Sequence, residues 1–292
     1  MRHDVGMGED LDERLRAAAA SVDMDELVGL GCDLADSDRF PDAEACFRRA
    51  SDLGSPVAAF NLGNSLASQE RWLEAVAAFE LALDRGETDA WRNLATVLRE
   101  LGDLAGEIRA YQRAEDAGDS GGALGIAFAL RAQGDREAAM SAAQRSADAG
   151  NELAAAVVAC WQWDLTQDPS LEGALRAGAD HFRSARADLG HLLVATGRVD
   201  EARQVLERGM KLGELESMLP LGNLYKDFLG DDDAAEAAYR AGAQLGDANS
   251  HHNLAVMLES QDDLAGAERH YRLAIEGGHT LAIAALRELL ED

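Results

Sequence analysis

Apolar positions in this chain recur at helical spacing in pairs of short segments. Between Val57 and Gly86, the first segment has an apolar face made by Ala59, Leu62, Gly63 and Leu66. The second segment has an apolar face made by Leu73, Val76, Phe79, Ala82 and Leu83. The four polar residues 68–71 between them are enough for a turn, and Gly86 can end the second segment in a left-handed conformation. The pattern therefore predicts a helical hairpin.

Three kinds of position repeat with a step of 32 or 33 residues over most of the chain. Closing glycines follow the second helices at Gly54, Gly86, Gly118, Gly150, Gly213, Gly246 and Gly278. A small residue lies in each first helix, at Gly31, Gly63, Ala95, Ala127, Ala159, Gly190, Gly222 and Ala255. A bulky residue lies in most second helices, at Phe47, Phe79, Tyr111, Leu175, Leu206, Tyr239 and Tyr271, with Ala143 as the exception. We predict that the bulky side chains fill the space left by the small residues.

These residues resemble the tetratricopeptide repeat, with its pattern W-x-x-L-G-x-x-Y, then A-x-x-x-F, then P. The matching residues are Trp91, Leu62-Gly63, Leu189-Gly190, Leu221-Gly222, Tyr225, and Ala75 with Phe79. The segments Asp52–Gly54 and Ala59–Gly63 are also similar to the SEL-like repeat. The closing proline is replaced by Ser55, Glu87, Asp119, Asn151, Glu214, Asp247 and His279, which leaves the superhelical pitch open. The resemblance covers Met24 to His279 and implies an all-α, right-handed α-solenoid of about eight antiparallel hairpins.

The repeats give the expected organisation of the chain. Residues 1–23 are predicted to be a tail and capping helix, 24–279 the repeat solenoid, and 280–292 a C-terminal capping helix. The repeats are expected at 24–55, 56–87, 88–119, 120–151, 152–182, 183–214, 215–247 and 248–279. The fifth is irregular, because its turn Thr166–Pro169 lacks glycine while Gly173 and Gly178 weaken its second helix, and it is expected to form either a bend or a binding insertion.

Several local features are expected from composition and caps. Residues 1–9 are predicted to be disordered, and Asp10 is predicted to cap a helix that continues to about Val22. The glycine-rich segment Gly121–Gly125 is predicted to be a loose turn between repeats. Pro220 is expected within or near the first turn of its helix, where a missing N–H costs little.

The amino-acid composition predicts the kind of core and the sign of the surface charge. Hydrophobic residues make up 47% of the chain but aromatic residues only 5%, which predicts an alanine-rich core of closely spaced helices. The formal net charge is −27 at pH 7. This charge argues against binding to nucleic acid or to an anionic membrane through a basic face. It would attract a basic partner.

Cysteine usage and the N-terminus point to the cytoplasm. Cys32, Cys46 and Cys160 lie on predicted helices without C-x-x-C spacing, so neither a disulfide nor a zinc site is expected. The first ten residues contain no apolar signal core, and no apolar run reaches the length of a membrane span.

Signals for catalysis or metal binding are weak. The chain has no H-E-x-x-H, P-loop or G-x-S-x-G motif, and Gly121–Gly125 follow a predicted helix rather than a strand. Six histidines, His181, His191, His251, His252, His270 and His279, are scattered over different repeats. The acidic run Asp231–Asp233 lacks the spacing of an EF-hand and is better explained as a turn and helix N-cap. We expect no catalytic residue, metal or cofactor.

The resemblance implies where a ligand would bind, because the first helix of each tetratricopeptide hairpin lines an inner groove. By register, the groove-facing candidates are Asn64, Arg92, Asn93, Arg99, Phe128, Arg131, His191, Asn223, Lys226, His252 and Asn253. Asn64 with Asn93, and Asn223 with Asn253, stand where similar proteins hold the main chain of an extended peptide. A carboxamide suits this role because it offers both a donor and an acceptor. The alternative is that these asparagines bond to neighbouring helix backbones.

Two further sets of residues refine the groove. The cations of the family's carboxylate-clamp variant are absent, since Phe60, Gly121, Gly125, Leu219, Leu281 and Ala285 occupy their positions. Arg92, Arg99 and Arg131 would form a basic strip unless acids such as Glu100 neutralise it. Trp161 and Trp163 diverge around one helix, so either one is an exposed partner anchor or both pack against adjacent hairpins.

The sequence as a whole predicts a protein-binding or peptide-binding scaffold without catalytic activity. Its partner would be another protein or an extended peptide with basic character. The alternative is an acidic mimic or chaperone that sequesters a basic, nucleic-acid-binding protein through surface charge. The sequence leaves the partner, the pathway and the oligomeric state open.

Overall fold

The computed structural model describes residues 4–18 and 21–291 of the 292-residue chain. Within these residues there are eighteen α-helices and no β-strand. The contacts divide the chain into two compact units, unit 1 (Met1–Asn151) and unit 2 (Glu152–Asp292). The predicted all-α solenoid fold is confirmed, and sixteen of the helices form the eight predicted hairpins.

Unit 1 contains the first nine helices. They are α1 (Asp4–Ala18), α2 (Met24–Asp36), α3 (Phe40–Asp52), α4 (Pro56–Ser68), α5 (Trp72–Asp84), α6 (Ala90–Glu100), α7 (Leu104–Asp116), α8 (Ser120–Ala132) and α9 (Arg136–Asp148). Each even-numbered helix forms a hairpin with the helix that follows it, and α1 packs against α2.

Unit 2 contains the other nine helices. They are α10 (Glu152–Thr166), α11 (Glu172–Gly178), α12 (Arg183–Ala195), α13 (Val199–Lys211), α14 (Leu215–Leu224), α15 (Asp232–Gln244), α16 (Ala248–Ser260), α17 (Leu264–Glu276) and α18 (Leu281–Glu291). A 3₁₀ turn (Pro169–Leu171) precedes α11, and a π-helical turn (Tyr225–Leu229) follows α14. The hairpins again pair each even-numbered helix with the next, and α18 packs against α17.

Close approach of a small residue and an aromatic ring holds the two helices of a hairpin together. A Cβ atom placed on Gly63 of α4 would lie 2.5 Å from Cε1 of Phe79 on α5. Phe79 is fully buried, and burying a side chain of this kind stabilises a fold by about 1.5–3 kcal/mol. Gly31 with Phe47 and Gly222 with Tyr239 repeat this contact. The predicted packing of bulky on small residues is therefore confirmed.

Backbone caps separate one helix from the next. All seven predicted closing glycines, Gly54, Gly86, Gly118, Gly150, Gly213, Gly246 and Gly278, have positive φ. Gly86, for example, has φ 94°, a conformation that residues with a Cβ atom rarely adopt. Three of the residues in place of the repeat's proline, Ser55, Asp119 and Asp247, cap the next helix, since their side chains accept backbone N–H bonds.

Seven of the eight second helices begin in one of two ways, and α11 follows the 3₁₀ turn instead. In α7, α9, α15 and α17 an aspartate side chain caps the helix, from Asp103, Asp135, Asp231 and Asp263. In α3, α5 and α13 an arginine takes that position, at Arg39, Arg71 and Arg198. Arg71 binds Glu74 in its own helix at 2.6 Å and Glu44 of the preceding hairpin at 2.7 Å. The arginine therefore joins two hairpins where the aspartate would cap one helix.

The N-terminal helix differs from its prediction at both ends. It begins at Asp4, so Asp10 lies inside the helix rather than at its cap, and residues 4–9 are helical instead of disordered. It ends at Ala18 rather than near Val22. Residues 1–3 and 19–20 of the predicted tail and helix lie outside the described residues.

The prediction of a loose turn at Gly121–Gly125 was wrong, because these residues belong to α8. The glycines are needed for close packing rather than for flexibility. A Cβ on Gly122 would lie 2.5 Å from the backbone nitrogen of Glu115, and one on Gly125 would overlap the ring of Tyr111. Asp119 caps the helix by accepting the N–H of Gly121 at 2.8 Å.

Pro220 was expected within or near the first turn of its helix, and it lies in the interior of α14 (Leu215–Leu224), beyond that turn. There its ring removes the N–H that would bond to the carbonyl of Glu216. The helix changes to the π-helical turn after Leu224, and Gly230 closes that turn with φ 63°. A π-helical turn takes up one extra residue, which fits the 33-residue step between Gly213 and Gly246.

The fifth hairpin is irregular, as the sequence predicts. Its second helix, α11, has only seven residues, and Asp168 caps the 3₁₀ turn that precedes it. Trp161 and Trp163 are both buried, at 5% and 3% exposure. The interpretation of one tryptophan as an exposed partner anchor is therefore wrong, and the packing interpretation holds.

Two remaining features are the state of the cysteines and the length and apolar character of the helices. Cys32, Cys46 and Cys160 are free cysteines, with Cys32 exposed and the other two buried. None of the described helices combines the length and the apolar character needed to cross a bilayer.

Candidate functional site

Paired side chains join neighbouring first helices at one repeated register. One residue of each pair directly follows the small residue in the first helix of a hairpin. The other residue lies in the first helix of the next hairpin, two positions before its small residue. Asn64 on α4 and Asn93 on α6 have these positions, and Asn93 Nδ2 donates to Asn64 Oδ1 at 2.6 Å. We call such contacts register pairs. They bring together two of the asparagines that the resemblance implies for peptide binding.

The Asn64–Asn93 register pair leaves complementary groups unused. Within the described chain these side chains make no other hydrogen bond, so the Asn64 amide N–H₂ and the Asn93 carbonyl oxygen are free. A donor beside an acceptor can bind the C=O and N–H of one peptide unit. The alternative that these asparagines bond to helix backbones is wrong, because their bond joins the two side chains.

Unit 2 contains the equivalent pair. Asn253 Nδ2 on α16 donates to Asn223 Oδ1 on α14 at 3.1 Å. The Tyr239 hydroxyl donates to the same oxygen at 2.8 Å. Burial, and secondarily the nearby Asp227 carboxylate, raise the pKa of Tyr239 to about 12, so the hydroxyl stays protonated. Asn223 N–H₂ and Asn253 Oδ1 are left as the free donor and acceptor.

Two further register pairs were not predicted from the sequence. Asn61 Nδ2 on α4 lies 3.8 Å from the sulfur of Cys32 on α2. The thiol of Cys160 on α10 bonds to Asp188 on α12, where burial raises the pKa of Asp188 to about 6. Burial also raises the pKa of the Cys160 thiol, with the nearby Asp188 carboxylate as a second cause. The signal for these pairs was present in the spacing, because Cys32 and Cys160 each follow the small residue of a first helix, as Asn64 does.

Two depressions flank the Asn64–Asn93 pair. The first, of about 270 Å³, includes Asn64 and is lined on its apolar side by Cys32, Ala35, Phe40 and Phe47. The second, of about 530 Å³, includes Asn93 and is mainly polar, with Thr88, Asp89, Arg92, Asp119 and Ser120. We call them the apolar depression and the acidic depression. Together with the pair they form the candidate site of unit 1.

Two of the three arginines in the predicted basic strip, Arg92 and Arg99, are paired with acidic residues. Arg92 lies 3.3 Å from an Asp119 carboxylate oxygen, and Arg99 lies 3.6 Å from Glu100. Arg92 borders the acidic depression and so belongs to the candidate site, whereas neither Arg99 nor Arg131 lines either depression. Phe128 follows the small residue of α8, and 40% of its surface is exposed.

Two remaining candidates of unit 2, Lys226 and His252, contact residues other than the Asn223–Asn253 pair. Lys226 lies in the π-helical turn and binds Asp232 at 2.7 Å. The ring of His252 stacks on His279 with centroids 4.3 Å apart, and it lies 5.7 Å from the ring of Tyr271. His191 is exposed by its accessible surface, although desolvation by the surrounding protein lowers its pKa.

No described part of the chain offers a group of three or more His, Cys, Asp or Glu side chains that could hold a metal ion. His251 and His270 face each other with their Nδ1 atoms 2.9 Å apart. At this distance one neutral imidazole can donate to the other. The chemistry that the candidate site offers is therefore hydrogen bonding, apolar contact and charge.

Comparisons with known proteins agree with this architecture. A tetratricopeptide repeat profile matches residues 28–90 and 60–122, and a second tetratricopeptide repeat profile matches residues 248–279. No curated protein has a significantly similar sequence.

Solved structures share the fold at low sequence identity. A Sel1 repeat protein from Oxalobacter formigenes is 18% identical, with a TM-score of 0.68, over 95% of this chain and 90% of that one. The protective antigen c5321 of uropathogenic Escherichia coli, which displays an SLR fold, is 18% identical with a TM-score of 0.61, over 94% and 73% of the chains. The APC/C hetero-tetramer Cut9–Hcn1 contains a chain that is 17% identical with a TM-score of 0.61, over 91% and 55%.

Proposed function

Because this chain is a tetratricopeptide/SEL-like repeat protein, we propose that it is a non-catalytic scaffold that binds an extended peptide segment of another protein. Repeats of this kind commonly mediate protein–protein interaction. The peptide would lie along the inner helix faces. In unit 1 its main-chain hydrogen bonds would come from Asn64 with Asn93, and in unit 2 from Asn223 with Asn253. The scaffold would act in the cytoplasm.

One observation carries the proposal. In each unit, two asparagines on neighbouring first helices bond to each other and leave one donor and one acceptor unused. Because the first bond fixes both carboxamides, a peptide would meet a preformed site and lose little affinity to side-chain ordering. A carboxamide pair binds the main chain, which is common to all peptides, so selectivity must come from the surrounding side chains.

The net charge of −27 supports a basic partner through long-range attraction. Charge alone could also hold such a partner, as in an acidic mimic. Binding through surface charge and binding through the asparagine pairs respond differently to salt. Surface attraction is screened within about 10 Å at 0.1 M salt, whereas hydrogen bonds in a preformed site are less affected.

The proposal is tested by affinity capture from native cell extract at 0.05 M and 0.5 M NaCl. The protein is compared with the variant Asn64→Ala/Asn93→Ala and with Asn249→Ala as control. Asn249 is an exposed asparagine of α16 that makes no register pair. We expect a partner that survives high salt, is lost with the double variant and is retained by the control. A partner released by salt and indifferent to the double variant would contradict groove binding and favour the acidic mimic.

A further inference from the structure

The two depressions beside the Asn64–Asn93 pair differ in chemistry. The pair is held by a single 2.6 Å bond, and each asparagine borders one of the depressions. A chain whose peptide unit bonds to the pair would therefore extend into both depressions. Their linings determine which side chains such a peptide can carry.

The apolar depression fits one large apolar side chain. The rings of Phe40 and Phe47 and the side chains of Cys32 and Ala35 give it its apolar surface, and its polar lining residues are Asp36, Asn61, Asn64, Ser65 and Ser68. Its volume of about 270 Å³ exceeds that of a leucine or phenylalanine side chain. Phe40 is 38% exposed, so an apolar occupant would remove aromatic surface from water.

The acidic depression has an excess of negative charge. Asp89 lies just before α6, but its side chain does not cap that helix, unlike the other aspartates that begin helices. Nor does any ion pair involve Asp89 in the described chain. Asp119 divides its carboxylate between the N–H of Gly121 and Arg92. With two carboxylates and one guanidinium, the lining would be neutralised by one additional cation.

The distance between the depressions sets the spacing of the two side chains. The apolar depression lies between α2 and α4, whereas the acidic depression is lined from α4, α6 and the start of α8. Packed helices are about 8–10 Å apart. An extended peptide rises about 3.3 Å per residue, so one hairpin corresponds to about three residues.

We propose that the inner face of unit 1 selects a peptide carrying an apolar side chain and, about three residues away, a lysine or arginine. The apolar side chain fills the depression beside Asn64, and the cation binds Asp89 and Asp119. This selectivity rests on the peptide-binding function proposed above, because the Asn64–Asn93 pair must hold the main chain.

The probe is a display library of random dodecapeptides, selected against the full-length protein in 0.15 M NaCl. Enriched peptides are synthesised with a fluorophore, and their affinities are measured by fluorescence anisotropy. Asp89→Asn/Asp119→Asn removes the two carboxylates while leaving an asparagine able to cap α8. The matched control, Asp52→Asn/Asp84→Asn, removes two exposed carboxylates at the last residues of α3 and α5.

Cys32→Phe tests the apolar depression. The substitution fills it from an exposed position, and the repeat tolerates phenylalanine there, because Phe128 has the same register in α8.

We expect the enriched peptides to share an apolar and a basic residue at fixed spacing. The aspartate double variant should weaken their binding about fivefold, since partly exposed ion pairs contribute up to about that factor. The control should change it less than twofold, and Cys32→Phe should remove the preference for the apolar residue.

The outcomes separate this proposal from the previous one. If enriched peptides need Asn64 and Asn93 but show no apolar–basic pattern, or respond equally to both aspartate double variants, the selectivity is contradicted and peptide binding stands. If no peptide is enriched, or if binding is indifferent to Asn64→Ala/Asn93→Ala, both proposals are contradicted.

Discussion

At the scale of single residues, the packing of the hairpins depends on glycines at the points where two helices come close together. Gly31 and Gly29 lie two residues apart on α2 and illustrate the contrast. A Cβ on Gly31 would meet the ring of Phe47 at 2.5 Å, whereas a Cβ on Gly29 would have no neighbour within 4 Å. The same residue type is therefore required at one position and dispensable at the other.

This contrast gives the first prediction. Gly31→Val should destabilise the protein by about 1–3 kcal/mol, because the valine overpacks a filled interface. Gly29→Val, the control, should change stability by no more than about 0.5 kcal/mol, since the loss of glycine slightly favours the helix. Urea unfolding of both variants measures the difference. Equal effects would contradict the packing of α2 on Phe47.

Residue spacing predicted these contacts but not the partners of polar side chains. Glycine and aromatic positions recur with a fixed step, so the hairpin and its core could be inferred without coordinates. The bonds from Asn93 to Asn64 and from Cys160 to Asp188 join different repeats, and a helical wheel of one repeat contains only one partner of each. Aligning the repeats would have identified them, because the partners lie at constant offsets from the small residues.

At the scale of the helices, buried charge links elements that are distant in sequence. Arg186 on α12 is 2% exposed and binds Asp180 at 2.9 Å and Glu214 at the start of α14. Arg183, one turn earlier, is mostly exposed and lies 3.4 Å from Glu216. The first arginine shares its buried environment with Glu214, while about two thirds of the second arginine's side chain is exposed to solvent.

The second prediction compares these arginines. Arg186→Met should cost about 3–5 kcal/mol, because it leaves the largely buried Glu214 carboxylate without its cation. Arg183→Met should cost less than about 1 kcal/mol, as for other exposed pairs. Chemical denaturation of both variants provides the measurement. Similar losses for the two substitutions would show that the buried pair does not join α12 to α14.

The third prediction concerns pH and the last hairpin. Burial lowers the pKa values of His251 and His270, and Arg269, Arg240 and the facing imidazole lower that of His270 further. Asp247 opposes the shift at His251, and Asp263 opposes it at His270. The folded state therefore favours neutral imidazoles. Their contribution is complete above the ordinary histidine pKa of about 6.5 and is lost as pH falls below it.

The variant His270→Gln should therefore lose less stability than the wild-type protein between pH 7.5 and pH 5.5. His181→Gln is the matched control, since His181 is exposed and lies on a different hairpin, 3.5 Å from Glu152. Urea unfolding at the two pH values gives the comparison. An unchanged pH dependence in His270→Gln would exclude a contribution from the histidine pair.

Element boundaries were predicted where capping residues are unambiguous and missed where packing decides. Gly121–Gly125 have the composition of a turn, yet the fit of α8 against α7 and the Asp119 cap make them helical. Pro220 was assigned to a first turn from its missing donor, but α14 tolerates it in its interior and changes to the π-helical turn one turn later. In both cases tertiary contacts override local propensity.

At the scale of the whole molecule, charge is the property least determined by the fold. The chain carries 54 acidic residues against 27 lysines and arginines. The ion pairs use only part of the acidic residues, and the excess negative charge repels itself in the folded state. The repeat architecture was predictable because its pattern of small and bulky residues recurs in eight hairpins. The excess negative charge follows no such pattern, so its function could not be predicted from the sequence.

The fourth prediction follows from this repulsion. Raising NaCl from 0.01 M to 0.5 M at pH 7.5 should increase the thermal midpoint by about 2–4 °C, because screening weakens repulsion between unpaired acids. At a pH near the sequence isoelectric point of about 4.5, the same salt step should have little effect. Differential scanning fluorimetry checks both conditions. A midpoint that falls with salt at pH 7.5 would mean that the ion pairs outweigh the repulsion.

The unequal exposure of the three thiols has a practical consequence. Cys46 and Cys160 are buried, so a maleimide dye would attach to Cys32 in the unmodified folded protein, without mutagenesis. Burial and the nearby carboxylates of Asp36 and Asp33 raise the pKa of the Cys32 thiol, and labelling will therefore be faster at mildly alkaline pH. A fluorophore at this position would border the apolar depression, and its emission would report in real time when that depression fills.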